Sequence, residues 1–178
     1  MTWVNDKDVL QAEARVFDKS VKLKTKNSKL WLVGGKNFKE LFATTLGHSI
    51  YIPSAWTSEQ VRSVLVHECR HIKQFRMFGW LFGMGWWAPA GIPLFLLFYA
   101  AVPLPIGLAW IRYRLELDAD SVFWKFALKN GVDKEIVHQR SMSFANTVFK
   151  YYGWPWPKPW IVWGFNRKFN KMLKSLSK

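Results

Sequence analysis

The stretch VRSVLVHECRHIKQF, residues 61–75, contains His67-Glu68-Cys69-Arg70-His71, an HExxH sequence. If it is helical, His67 and His71 stand one turn apart on one face. Two imidazoles so placed can grip one zinc ion. Glu68 beside them can take a proton from water that the metal activates. The start of the helix is signalled by Thr57 with Gln60 three residues later, a capping box. Trp56 and Val61 flank that cap as a hydrophobic staple, and Val61, Val64, Leu65 and Ile72 supply a packing face.

Upstream, residues 7–18 (KDVLQAEARVFD) suggest a short helix or an edge element. VKLKTK (21–26) alternates like a half-exposed strand, and LWLV (30–33) reads as a more buried one. FKELFATTLG (38–47) fits either helix or strand. HSIYIP (48–53) is a clearer strand, with Ile50 and Ile52 on one face and Pro53 closing it. The expectation is an α+β fold: a small N-terminal antiparallel sheet, then a mainly helical core. If the site holds a metal, a strand at 44–52 on its rim would offer backbone groups to an extended polypeptide, and the same residues fit ordinary sheet equally well.

Composition bounds the surroundings. The 178 residues suit a single domain, 1–178, and half of them are hydrophobic. Twelve tryptophans and fourteen phenylalanines exceed what one small core needs, which implies a large buried interface or a membrane surface. The formal charge of +14 draws the chain to anionic material, and an anionic membrane is the first expectation. No nucleic-acid-binding motif is present, so nucleic acid is not expected as a partner. Cys69 is the sole cysteine, which excludes an intrachain disulfide and a Cys-rich metal site and suggests a buried structural thiol. The first 17 residues lack an apolar run of signal-peptide type, so a cytoplasmic start is expected.

From Met77 to Ile111 there is no charged residue. Prolines and glycines interrupt this run, and Arg76 and Arg112 bracket it. Residues 77–111 therefore read as a hydrophobic hairpin insertion, either inserted in a membrane with both ends on the cytoplasmic side or buried in a protein assembly. Helices are expected over 111–129 and from about Asp133 to 152. Residues 153–178 form a Trp/Pro-rich basic tail, read as an anchor followed by a short amphipathic helix or a solvated end.

A zinc enzyme needs a third protein ligand and an open position. No histidine follows the motif at the spacing H-x-x-G-x-x-H, and only His48 and His138 remain. Glu116 is the better third ligand. Asp120 lies four residues on, on the same helix face, placed to accept a hydrogen bond from a ligand histidine. Glu68 is then the catalytic base. His138, Arg140, Tyr151 and Tyr152 are candidates for a second donor to the developing oxyanion, His138 first, with an ordinary packed histidine as the alternative.

HExxH, an uncharged hairpin and then Glu116-x-x-Ala119-Asp120 resemble the gluzincin zinc metallopeptidases of the Ste24/HtpX type. The resemblance covers about residues 30–130, and Arg70 departs from the glycine common before the second motif histidine. It implies a minimal, membrane-associated zinc endopeptidase acting on an extended polypeptide substrate or a peptide crosslink. The rival reading is a structural or assembly protein of a large complex, such as a phage virion, that retains the metal site.

Overall fold

The 3₁₀ turn Trp3–Asp6 leads directly into helix α1, Lys7–Phe17. This computed structural model describes residues 2–27, 36–81, 107–152 and 158–176. Strand β1 is Lys22–Thr25, α2 is Lys36–Leu41, β2 is Thr44–Leu46, β3 is Ser49–Ile52 and α3 is Ser58–Leu81. Then follow α4, Gly107–Lys129, α5, Lys134–Tyr152, and α6, Lys158–Leu176. The chain divides into two compact units, Met1–Pro93 and Leu94–Lys178. The α+β arrangement of a small sheet before a mostly helical remainder agrees with the sequence.

The sheet itself is mixed, not antiparallel as the sequence suggests. Strand order is β1-β3-β2, with β1 parallel to β3 and β2 antiparallel to it. The reason is connectivity. Strands β1 and β3 are separated by α2 and β2, a crossover long enough to return the chain in the same direction. Strands β2 and β3 are joined only by Gly47 and His48. Gly47 has φ of 60°, the left-handed value that the first position of such a two-residue hairpin loop demands. The expected strand 30–33 lies outside the described residues.

Alternation in the strands gives the first unit its core. Leu23 pairs with Ile50, and Ile50 and Ile52 are fully buried on one face. They pack with Leu10 and Ala14 of α1 and with Val61, Leu65 and Ile72 of α3. Trp3 is fully buried there and donates its indole N–H to the Pro53 carbonyl at 2.8 Å. Helix α3 begins as its residues dictate. The Thr57 N–H bonds Gln60 Oε1 at 2.8 Å, the Gln60 N–H bonds Thr57 Oγ1 at 3.2 Å, and Trp56 packs against the cluster that contains Val61. Cys69 is buried in this core, its thiol 3.8 Å from the Ala14 carbonyl.

In the second unit, α4 ends in a Schellman motif. The Val132 N–H bonds the Ala127 carbonyl and the Gly131 N–H bonds that of Leu128, with Gly131 at φ of 79°. Asp133 then caps α5 by accepting from the Glu135 and Ile136 N–H groups, and these bonds hold its carboxyl below the usual range. Of the two expectations for the terminal segment, the structure has the helix, and its apolar stripe is buried. Pro159 falls in the first turn of α6, where its missing N–H costs nothing. Ile161, Phe165, Phe169 and Met172 form the buried stripe, and Trp124 of α4 meets the Phe169 ring edge-on at 5.4 Å.

Among the described residues, no helix is long and apolar enough to cross a membrane. This overturns the expectation of a membrane-associated, transmembrane protein with its site on the cytoplasmic side. The helices that enter and leave the uncharged run carry charge through most of their length. Arg62, Glu68, Arg70, Lys73 and Arg76 lie on α3, and Arg114, Glu116, Asp118 and Asp120 lie on α4. Residues 82–106 of the expected hairpin lie outside the described residues.

One close approach in the second unit gives a packing test. A Cβ built on Gly164 would come within 1.8 Å of the Tyr113 hydroxyl and 3.0 Å of its ring carbon Cζ. Gly164→Ala should therefore cost about 1–3 kcal/mol. Gly164→Ala in a Tyr113→Phe background should recover part of the loss. Chemical denaturation of the two variants and the double variant checks this, and a strictly additive pair would refute the contact.

Candidate metal centre

The amphipathic pattern of α3 turns the HExxH segment so that Cys69 and Ile72 enter the apolar core while His67, Glu68 and His71 share a different side. His71 and Glu68 are buried, and His67 is partly buried. The two Nε2 atoms converge at 3.0 Å and the rings meet edge-on. Two nitrogens bound to one tetrahedral zinc at ~2.0–2.1 Å would stand roughly 3.3 Å apart, close to this spacing. The sequence expectation of one turn, one face and convergent imidazoles is met.

Gln74 is a part of the site that the sequence reading missed. Its Oε1 lies 2.7 Å from His71 Nδ1, and it is buried. An amide oxygen only accepts, so this contact favours the His71 tautomer with its proton on Nδ1 and a lone pair at Nε2. That is the tautomer a metal ligand needs. The signal was present in the sequence: Gln74 is three residues past His71, on the same helix face.

Glu116 is almost fully buried on α4, at 1% exposure. One ligand nitrogen from each of His67 and His71 and one carboxylate oxygen of Glu116 all lie within 4.8 Å of one another. Two imidazole nitrogens and a carboxylate oxygen form a donor set that suits zinc with room for a further ligand. These three residues can therefore hold a divalent metal such as zinc. Glu116, the candidate third ligand from the sequence, is the acidic residue in this cluster. Asp120, one turn further along α4, is also buried. Its charge acts on Arg140 of α5, opposing the burial that lowers the Arg140 guanidinium. Asp118 is less buried than either.

Glu68 is held from the sheet. The Thr45 hydroxyl, on β2, donates to Glu68 Oε2 at 2.6 Å and reaches the Glu68 carbonyl at 3.3 Å. The sequence places Thr45 in the 44–52 strand and gives its hydroxyl no role. Cys69 is chemically quiet: burial pushes its thiol up to about 12, and the negative charge of Glu68 adds to the effect.

His138 is engaged in packing on α5. Its Nε2 lies 2.7 Å from Asn166 Oδ1 on α6, and its ring stacks obliquely on Phe169 at 5.0 Å. Arg140 lies over the Phe123 ring at 4.5 Å. His48 also has a local partner, the Ser20 hydroxyl at 2.9 Å from its Nδ1.

Comparison of the chain with protein-family models, curated proteins and solved structures gives no match. The site and its chemistry therefore carry the functional argument.

Gln74 offers a test of the tautomer argument. Gln74→Leu should weaken zinc binding roughly 10–100-fold, while Gln74→Glu, which keeps an acceptor, should retain it. Competition against a chromophoric chelator measures both. Equal affinities for Gln74→Leu and the wild type would remove Gln74 from the centre.

Proposed function

We propose that this protein is a zinc-dependent endopeptidase that hydrolyses peptide bonds, with a gluzincin-like centre of the kind found in Ste24/HtpX-type enzymes. The convergence of His67, His71 and Glu116 to within 4.8 Å carries the reading. The HExxH and E-x-x-A-D motifs support it, since they supply a base beside the ligands and a second acid one turn past the third.

His67, His71 and Glu116 would hold the metal. When bound, zinc supplies a Lewis acid that polarises a carbonyl and makes water acidic near neutral pH. The protein's own residues account for the remainder. Glu68 is the general base, and it takes the proton as the scissile carbonyl is attacked and passes it to the leaving amine. The Thr45 hydroxyl donates to Oε2 and so orients this carboxylate, which keeps further lone pairs for the proton. Gln74 fixes the His71 ring. Strand β2 lies at the edge of the three-stranded sheet and is the element on which an extended polypeptide would lie. We assign His138 to packing and not to chemistry, on the strength of its bond to Asn166.

Metal analysis and kinetics test this together. The purified chain should hold one zinc per molecule and lose peptidase activity with chelation. Glu68→Gln should keep the zinc and lower kcat by roughly 10²–10⁴-fold. His71→Ala or Glu116→Ala should lose the metal. Absence of stoichiometric zinc, or a Glu68→Gln protein as active as wild type, would end the peptidase reading. His138→Ala should lower stability by about 1–3 kcal/mol while leaving zinc content and kcat intact. A large fall in kcat at full zinc occupancy would return His138 to the chemistry.

A further inference from the structure

A lysine is rarely buried unless something holds its charge. Lys26 follows β1 and is only 2% exposed. Its backbone N–H extends the pairing with β3 by donating to the Ile52 carbonyl at 2.8 Å. Its side chain runs the other way, to the start of β2. There Nζ donates to the Phe42 carbonyl at 3.0 Å and to Thr44 Oγ1 at 2.7 Å. The next residue, Thr45, is the one whose hydroxyl grips Glu68 Oε2.

Strand β2 has only three residues and pairs only with β3 among the described strands. Three residues of edge strand do not fix a side chain to a few tenths of an ångström unaided. The Lys26 ammonium crosses from one edge of the sheet to the other and ties down the main chain just before β2 and the side chain at its first position. We propose that Lys26 is a positioning residue for Glu68: its ammonium clamps strand β2, and the clamped strand presents the Thr45 hydroxyl that holds the Glu68 carboxylate.

The electrostatics agree with this placement. Burial pulls the Lys26 ammonium down to about 8, and the negative charge of Glu68 works against that fall. Lys26 and Glu68 therefore attract each other across β2, with Thr44 and Thr45 between them as neutral hydroxyls. The alternative is a lysine that merely plugs the sheet. A plug would stabilise the fold without sensing Glu68 and without affecting turnover. The catalytic meaning of the clamp rests on the peptidase reading. The clamp itself does not, and it can be tested on the zinc-free chain.

The experiment is a pH titration of the full chain carrying ¹³C-labelled lysine, followed by NMR. One lysine, identified by its loss in Lys26→Met, should titrate near pH 8. Exposed lysines should titrate at roughly 10.4. In Glu68→Gln the midpoint of that lysine should fall by roughly half a unit or more, because the charge that favours the ammonium is gone. An unmoved midpoint would overturn the proposal. In Lys26→Met the amides of Thr44–Leu46 should exchange faster, and unchanged protection would also overturn it.

The kinetic arm uses Lys26→Met and Thr45→Val. Both should lower kcat about 10-fold or more with KM and zinc content unchanged, a split that a general loss of stability would not give. Wild-type kcat in both would refute the positioning role. Should Lys26→Met fail to fold, the Glu68→Gln titration and Thr45→Val kinetics decide. A wild-type chain that cleaves no peptide would sink the peptidase reading, and the titration and exchange results would still decide whether the clamp exists.

Discussion

A carboxylate buried without compensation is among the most expensive groups a fold can carry. Among the buried carboxylates of this protein, Glu68, Glu116 and Asp120 each meet that cost in a different way. Glu68 takes a hydroxyl from Thr45 and feels the buried ammonium of Lys26. Glu116 joins two imidazoles in a cluster with metal-ligand chemistry. Asp120 is set against Arg140. The helices and the small sheet can be read as the scaffold that makes those three burials tolerable.

Within the first unit the same logic orders the elements. The alternation of β3 buries Ile50 and Ile52 under α3, which sets the helix against the sheet. That contact puts Cys69 and Ile72 inward and leaves Glu68 facing the hydroxyl of β2. The two-residue turn at Gly47 keeps β2 against β3. Packing, turn chemistry and the hydrogen bond to Glu68 thus form one chain of dependence. Asp18 adds a peripheral brace, accepting from the Ser20 N–H and hydroxyl at 2.9 and 2.7 Å and pairing with Arg76 of α3.

Much of this was legible in residue order, where the signal is local. The capping box at Thr57 and Gln60, the face shared by His67 and His71, and the period-2 burial of β3 each depend on neighbours within a few positions. The place of Glu116 in the cluster was legible for another reason: a candidate zinc site calls for a third ligand, and the alternatives were few. What the sequence did not yield was long-range. The parallel pairing of β1 with β3 depends on a crossover whose path the residue pattern does not encode. Thr45 is 23 positions from Glu68, and a threonine in an ambiguous segment announces nothing. The membrane expectation fails because the described ends of the uncharged run belong to longer helices that carry charged residues along the rest of their length. The tail's helix is one of the two outcomes its sequence allows, and its burial comes from the Ile161, Phe165, Phe169 stripe, which is less conspicuous than the prolines and cations around it.

The position of Cys69 has a practical side. It is the chain's single thiol, it lies between the proposed base and the second histidine, and it is sealed against Ala14 with its ionisation held far above neutral pH. An alkylating reagent can reach it only when α3 lifts from α1. The rate of its modification is therefore a native clock for opening of the helix that carries His67 and His71. The same burial leaves the surface free of reactive thiols, so a cysteine introduced at any exposed position would accept a spectroscopic label alone.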